Sequence, residues 1–269
     1  MRHSFLDRAD GDVKLWVFSD LRLDVHSLDE PLTPPDADAC VVAGDVLTGG
    51  ITPSVEWLAE NIGRHMPVFF VPGEREFFNS SWNTTLTVAS DTRFYRGVHL
   101  LDNATATFGD VTFVGTTLWT DFAALGEQYA GLCMEHAAAI KEDYRRIDCR
   151  SNPFGRLTPA NIRRKHFDCR RFLTRTLRQR RDLRFVVITH HAPSVLSACA
   201  DRRMVKAVAA DASNLDGLVA DTAPQLWVHG HLRGRVDYIL GQTRIVANPR
   251  DFPGYEGIPS FDPSLIVTV

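Results

Sequence analysis

The sequence predicts an α/β fold built as one domain, and three observations predict it. Five short, unbroken apolar runs are each followed closely by Asp, His or Gly, the pattern of strands buried on both faces with loops at their carboxyl ends. Two pairs of segments flank Gly-containing turns, as hairpins do. From about residue 122 to 182 the strand signals stop and two helical periodicities replace them. A chain of 269 residues is enough for one sizeable core and short for two.

The five runs are residues 15–18, 40–43, 68–71, 185–188 and 226–228. They lead into Ser19-Asp20, Gly44-Asp45, Pro72-Gly73, Thr189-His190-His191 and His229-Gly230-His231. In open α/β sheets, sites form at the carboxyl ends of strands. Residues 104–108 and 111–114 make the first predicted hairpin, and 236–240 with 243–246 make the second. Residues 54–61 fit a short helix capped by Ser54 that buries Val55, Leu58 and Ala59. Residues 125–141 and 159–177 read as longer helices, the second with Pro159 in its first turn. The whole of 1–269 is read as one domain carrying a helical insertion at about 122–182 beside the site.

Composition narrows the function classes. Hydrophobic residues are 44% and charged residues 23%, with a net charge of −3, so bulk charge points to neither a nucleic acid nor a membrane partner. Cys40, Cys133, Cys149, Cys169 and Cys199 are scattered and odd in number, and no two form a C-x-x-C pair. They read as reduced thiols, which together with an N-terminus lacking an apolar run predicts a cytoplasmic protein.

The strand ends bring together Asp20, Asp45, Glu74, His190 and His231, a mixture of carboxylates and imidazoles suited to Mn, Fe or Zn. Their contexts resemble the calcineurin-like metallophosphoesterase family. That family runs D-x-H, G-D, G-N-H-E/D, a lone H and G-H-x-H. Here the blocks read Ser19-Asp20-Leu21-Arg22, Gly44-Asp45-Val46, Gly73-Glu74-Arg75-Glu76, His190 and Gly230-His231-Leu232-Arg233. Trp119-Thr120-Asp121-Phe122, Asp143-Tyr144-Arg145-Arg146, Thr189-His190-His191-Ala192-Pro193 and Asn248-Pro249-Arg250 resemble a bacterial subgroup, and the resemblance spans residues 13–269. It implies a four-layer αββα sandwich of two mixed sheets flanked by helices. It also implies two metals bridged by Asp45, hydrolysis of a phosphate ester by an activated hydroxide, and a His in the G-N-H block that protonates the leaving group or holds the phosphate.

Three family histidines are arginine in this chain: Arg22, Arg75 and Arg233. Arginine has no lone pair and stays protonated, so it neither ligates a metal nor delivers a proton at neutral pH. Of the first-metal set only Asp20 and Asp45 remain. The second set survives as Asp45, Glu74, His190 and His231, with Glu in place of Asn. The expectation is at most one divalent transition metal (Mn, Fe or Zn), with Arg22 and Arg233 replacing the other ion. Two arginines for two histidines balance the loss of one dication, and buried carboxylates need a counter-charge. Arg75 and His191 are the remaining catalytic candidates, and Arg145 and Arg146 are candidates to hold a phosphate. The bland alternative is drift, with the arginines turned to solvent.

Two function classes follow from these replacements. One is a divergent phosphoesterase acting weakly on a phosphorylated small molecule. The other is a non-catalytic pseudo-phosphoesterase that binds a phosphorylated ligand or a protein. A run of cations, Arg163, Arg164, Lys165, Arg170, Arg171, Arg175, Arg178, Arg180, Arg181 and Arg184, reads first as a solvated helix face. Its support for a nucleic acid partner is thin, because only Phe167 and Phe172 interleave with it. Nothing in the sequence sets the substrate or the oligomeric state.

Overall fold

The computed structural model describes residues 11–28, 30–91, 94–149, 155–179, 182–198, 204–250 and 260–269. The strands in chain order are β1 (Lys14–Phe18), β2 (Ala39–Val42), β3 (Val68–Phe70), β4 (Ser80–Ser81), β5 (Phe94–Tyr95), β6 (Val98–Leu100) and β7 (Ala104–Phe108). They continue as β8 (Val111–Thr116), β9 (Ile147–Asp148), β10 (Arg184–Thr189), β11 (Leu226–His229), β12 (Val236–Leu240), β13 (Thr243–Ala247) and β14 (Ile266–Thr268). The helices are α1 (Ile51–Asn61), α2 (Trp82–Asp91), α3 (Ala130–Ile140), α4 (Asp143–Arg146), α5 (Pro159–Gln179) and α6 (Asp216–Thr222).

Two six-stranded sheets form, ordered β14-β1-β2-β3-β6-β5 and β12-β13-β11-β10-β8-β7. Each has four parallel strands at its centre and an antiparallel strand at either edge. The alternation of each central strand sorts its side chains between two cores. Leu15, Val17, Val41 and Phe69 of the first sheet meet Phe113, Val186, Ile188 and Val228 of the second in a sandwiched core. Phe69 and Phe113 stack there with ring centroids 3.7 Å apart. Trp16, Phe18, Val42 and Phe70 face the other way, onto Val55 and Leu58 of α1. On the far side, Val187, Trp227 and Ile245 pack against Cys133 of α3 and Ile162, Cys169 and Leu173 of α5. The result is the four-layer αββα sandwich. Strands β4 and β9 add a small parallel pair beside it.

The expected helix at 54–61 begins one turn earlier, and Ser54 is not its cap. The helix starts at Ile51 after Gly50, with no side-chain cap. Pro53 sits in that first turn, where a missing N–H costs no helical hydrogen bond. Ser54 is buried, accepting from the Leu47 N–H (3.1 Å) and donating to Glu76 (2.9 Å). The expected helix at 125–141 begins only at Ala130, because Gly126 has φ 112°, a value no right-handed helix accommodates. Within 122–182, α5 covers the outer face of the second sheet, while α3 and α4 lead to Lys141 and Asp143 at the site. Cys40, Cys133, Cys149 and Cys169 are buried free thiols, and Cys199, Arg180 and Arg181 lie outside the described residues. No helix among the described residues is long and apolar enough to cross a membrane.

Candidate active site

Loops at the carboxyl ends of β1, β2, β3, β10 and β11 converge, and the turns are tight. Asp20, Arg22, Asp45 and His231 all have positive φ, at 57°, 47°, 61° and 65°. Each such non-glycine residue costs about 1 kcal/mol or more, so the surroundings must over-determine it. Gly44 and Gly73 make the closeness workable. A Cβ on Gly44, whose φ is 89°, would stand 2.5 Å from His190 Nδ1 and 2.6 Å from the Gly73 nitrogen. One on Gly73 would stand 2.7 Å from the His190 ring.

Glu76 ties these loops together. Its buried carboxylate accepts from the amides of Asp45 (3.0 Å), Val46 (2.7 Å) and Gly73 (2.7 Å) as well as from Ser54. It therefore fixes the second and third strand-end loops to each other and to α1. Arg250 does the same for the first loop, donating to the carbonyls of Leu21, His26 and Ser27 at 2.6–2.9 Å.

The candidate site has two halves that meet at Asp45. In the first, Asp20 and Asp45 are buried and Arg22 lies between them, its NH2 2.9 Å from Asp20 Oδ1 and 3.5 Å from Asp45 Oδ2. Asp20 also accepts from Ser19 Oγ (2.6 Å) and the His231 amide (3.0 Å). Asp45 Oδ1 accepts from the Arg75 amide at 3.0 Å. Burial works against the Arg22 charge, but Asp20, Asp45 and Glu74 outweigh it and hold the guanidinium more firmly protonated than usual.

In the second half, Glu74 Oε2 lies 2.6 Å from His190 Nε2 and 3.0 Å from His231 Nδ1. His190 Nε2 is also 3.5 Å from Asp45 Oδ1 and 3.2 Å from His231 Nδ1. Burial opposes the charge on both rings, yet the carboxylates prevail. His190 is raised by Asp45 and Glu74, and His231 is raised to about 9, chiefly by Glu74. His191 stacks on His231 (centroids 4.3 Å apart), and burial together with the His231 charge holds it well below the usual imidazole range. His229 turns to Ser197 (2.8 Å) and the Gly230 carbonyl (3.0 Å), and burial lowers it to about 4.

A cavity of about 370 Å³ opens over both halves, and Arg22, Glu74, Arg75, His231 and Arg233 line it. The Arg75 side chain pairs with Asp24 at 2.8 Å. Arg145 is exposed, and Arg146 lies over the Phe78 ring at 4.4 Å while pairing with Glu142; neither lines the cavity. The cavity is also lined by Lys141, Asp143 and Asp211, which the sequence reading did not include. Asp143 opens the Asp143-Tyr144-Arg145-Arg146 block, whereas Lys141 and Asp211 sit in no motif, so no spacing could have signalled those two. Glu76 was visible as the acid closing its block.

The two halves fit a metal differently. Glu74, His190 and His231 offer ligand atoms within 4.8 Å of one another, with Asp45 alongside. Their outer nitrogens are engaged, as those of metal-binding histidines are: His190 Nδ1 with the Ala43 carbonyl (2.6 Å) and His231 Nε2 with Asp211 (3.0 Å). That set fits one ion of the Mn, Fe or Zn type. Asp20, Asp45 and His190 also cluster, but a guanidinium already bridges the two carboxylates and has no lone pair, so the first position does not fit a second ion.

Much of the basic run is engaged elsewhere. Arg163 pairs with Glu127, Lys165 with Asp102, Arg171 with Asp168, Arg178 with Asp221 and Arg184 with Asp110.

A model of the calcineurin-like phosphoesterase family matches residues 13–232, and the chain belongs to that family. Among solved structures, a phosphopantetheinyl hydrolase (PptH) from Mycobacterium tuberculosis is similar with a TM-score of 0.67, covering 89% of this chain and 90% of its own at 17% identity. A putative 5'-nucleotidase from Staphylococcus aureus in complex with alpha-ketoglutarate has a TM-score of 0.49 and 14% identity, covering 88% of this chain and 48% of its own. At such identities the likeness is one of fold. No curated protein matches.

Proposed function

We propose that this chain is a divergent metallophosphoesterase that takes a phosphorylated small molecule, holds at most one divalent transition metal and turns its substrate over weakly or in an altered way. The observation that carries this reading is the Arg22 guanidinium, 2.9 Å from Asp20 and 3.5 Å from Asp45. A fixed cation at that spot neutralises carboxylates that an ion would otherwise neutralise, and it cannot be exchanged for one. Asp45, Glu74, His190 and His231 would hold the remaining ion, which when bound supplies Lewis acidity to a phosphoryl oxygen.

The other roles fall to the chain's own side chains. Arg22, Arg75, Lys141 and Arg233 line the cavity, and guanidinium forks suit phosphate oxygens. At about 370 Å³ the cavity is of small-molecule size. Arg75 replaces the family's general acid, so it holds charge without moving a proton. His191, neutral and stacked on His231, supports that ring.

A second reading, a binding protein without turnover, is favoured by the Arg75–Asp24 pair. Losing a general acid costs roughly 10²–10⁴-fold by itself. Both readings meet one experiment: metal content of protein grown with Mn and Zn, followed by turnover of a chromogenic phosphodiester, a phosphomonoester and a phosphopantetheinyl substrate. One equivalent of metal or less with slow turnover supports the first reading. Phosphate binding without turnover supports the second; two equivalents at this site overturn the first, and fast turnover overturns the second.

A further inference from the structure

An imidazole can present either ring nitrogen to a metal, and a second contact must choose between them. For His190 the Ala43 carbonyl chooses, since it can only accept and so takes Nδ1–H. For His231 the outer nitrogen Nε2 meets two groups, Asp211 Oδ1 at 3.0 Å and Lys141 Nζ at 3.1 Å. These groups make opposite demands. A carboxylate accepts, which puts the ring proton on Nε2 and leaves the Nδ1 lone pair facing Glu74 and His190. An ammonium only donates, which would put the proton on Nδ1 and close the site to a metal.

Lys141 is also bonded to Asp211, so its proton is directed at the carboxylate rather than at the ring. Both residues are held by their backbones. Lys141 ends α3, its amide bonded to the Ala137 carbonyl. Asp211 ends the 3-10 turn Lys206–Ala210, which packs on α3, and its amide bonds to the Val208 carbonyl. Its own carbonyl takes the Ala192 amide at 3.3 Å, two residues from His190.

We propose that Asp211 and Lys141 are positioning residues for the candidate metal centre: Asp211 accepts the Nε2–H of His231 and so selects the tautomer whose Nδ1 faces Glu74 and His190, while Lys141 anchors Asp211. This rests on the reading of His231 as a ligand.

The test measures Zn²⁺ affinity by chelator competition in the natural chain, His231→Ala, Asp211→Asn and the double variant Asp211→Leu with Lys141→Met. The double variant removes both charges together and so leaves neither buried alone. Thermal melts confirm that each variant folds. Long-range ¹H–¹⁵N NMR of the zinc-loaded natural chain locates the His231 proton. The proposal expects that proton on Nε2, a loss of about 10–100-fold in affinity in the double variant, and a smaller loss in Asp211→Asn, which keeps an acceptor. If His231→Ala abolishes binding while the double variant binds like the natural chain, the positioning role falls and the ligand reading stands. A proton on Nδ1 leaves that nitrogen no lone pair for the ion and so overturns the ligand reading and the positioning role together. If the natural chain takes up no zinc, or His231→Ala changes nothing, the ligand reading falls and takes this proposal with it.

Discussion

On one side of Asp45 the buried carboxylates meet a guanidinium, and on the other they meet imidazoles. Asp20 and Asp45 share Arg22, whose charge is permanent. Glu74 shares His190 and His231, whose charges are protons that can leave. Both halves solve the same problem, since an uncompensated buried carboxylate is costly. The first half is neutralised by covalent sequence and is closed to exchange. The second is neutralised by protons, which a metal can displace, because metal binding to His requires the deprotonated ring. On the proposed function, ion chemistry is confined to one half of this site, although both halves sit on strand-end loops of the same kind.

The strongest way to break that contrast is to convert the closed half into the open kind. Arg22→His and Arg233→His together, with Glu74→Asn and Arg75→His added, should raise turnover of a chromogenic phosphodiester with Mn by about 10²-fold or more, from the general acid and the second ion combined. Arg75→His alone should do little, and the gains should be non-additive because these groups act as a unit. If the natural chain is already as fast as the four-site variant, the first half works as built and the contrast is no loss of function.

Arg22→Ala asks the same question through stability. It should cost about 3–5 kcal/mol in denaturant melts of metal-free protein, because it strands two buried carboxylates. Part of that loss should return on adding Mn²⁺, since the vacated position then suits a cation. A variant as stable as the natural chain would mean that Arg22 contributes nothing to charge balance.

Asp143 sharpens the comparison on the open side. Burial, then the Glu74 charge, raise its carboxyl to about 6, against an ordinary 3.8. The fold therefore disfavours its charged form, so its contribution is harmless at pH 4 and grows destabilising as pH rises through 6. Two units correspond to about 3 kcal/mol. Asp143→Asn in metal-free protein should therefore be more stable than the natural chain by up to that amount at pH 8 and equal to it at pH 4. Equal stability at both pH values would show that neither burial nor the Glu74 charge disfavours the Asp143 carboxylate.

The smallest effect is expected far from both halves. Arg170→Glu with Arg175→Glu on α5 should change stability by about 0.5 kcal/mol or less and leave phosphate-ester turnover unaltered, as a solvated face requires. A large drop in turnover would tie that face to the site.

The alternation of the central strands and the residues at their ends were legible because strand burial and loop chemistry are local. Asp20, Asp45, Glu74, His190 and His231 could be named from their blocks, and they do converge in one place. Helix starts were less legible. Ser54 looked like a cap because capping residues are judged by type, whereas its hydroxyl is committed to Glu76, 22 residues away. Lys141 and Asp211 were invisible, since each is an ordinary surface residue type whose meaning comes only from being beside His231.

By itself the sequence determined which charges are available: three arginines for three histidines, and a glutamate for an asparagine. Whether those charges compensate one another was decided by the tertiary structure. Arg22 and Asp45 lie 23 positions apart along the chain, Glu74 and His190 lie 116 apart, and Asp211 and His231 lie 20 apart. Electrostatic compensation depends on distances of a few ångströms in a medium of low dielectric, and a chain fixes such distances between remote residues only when its two sheets and the helices over them have packed.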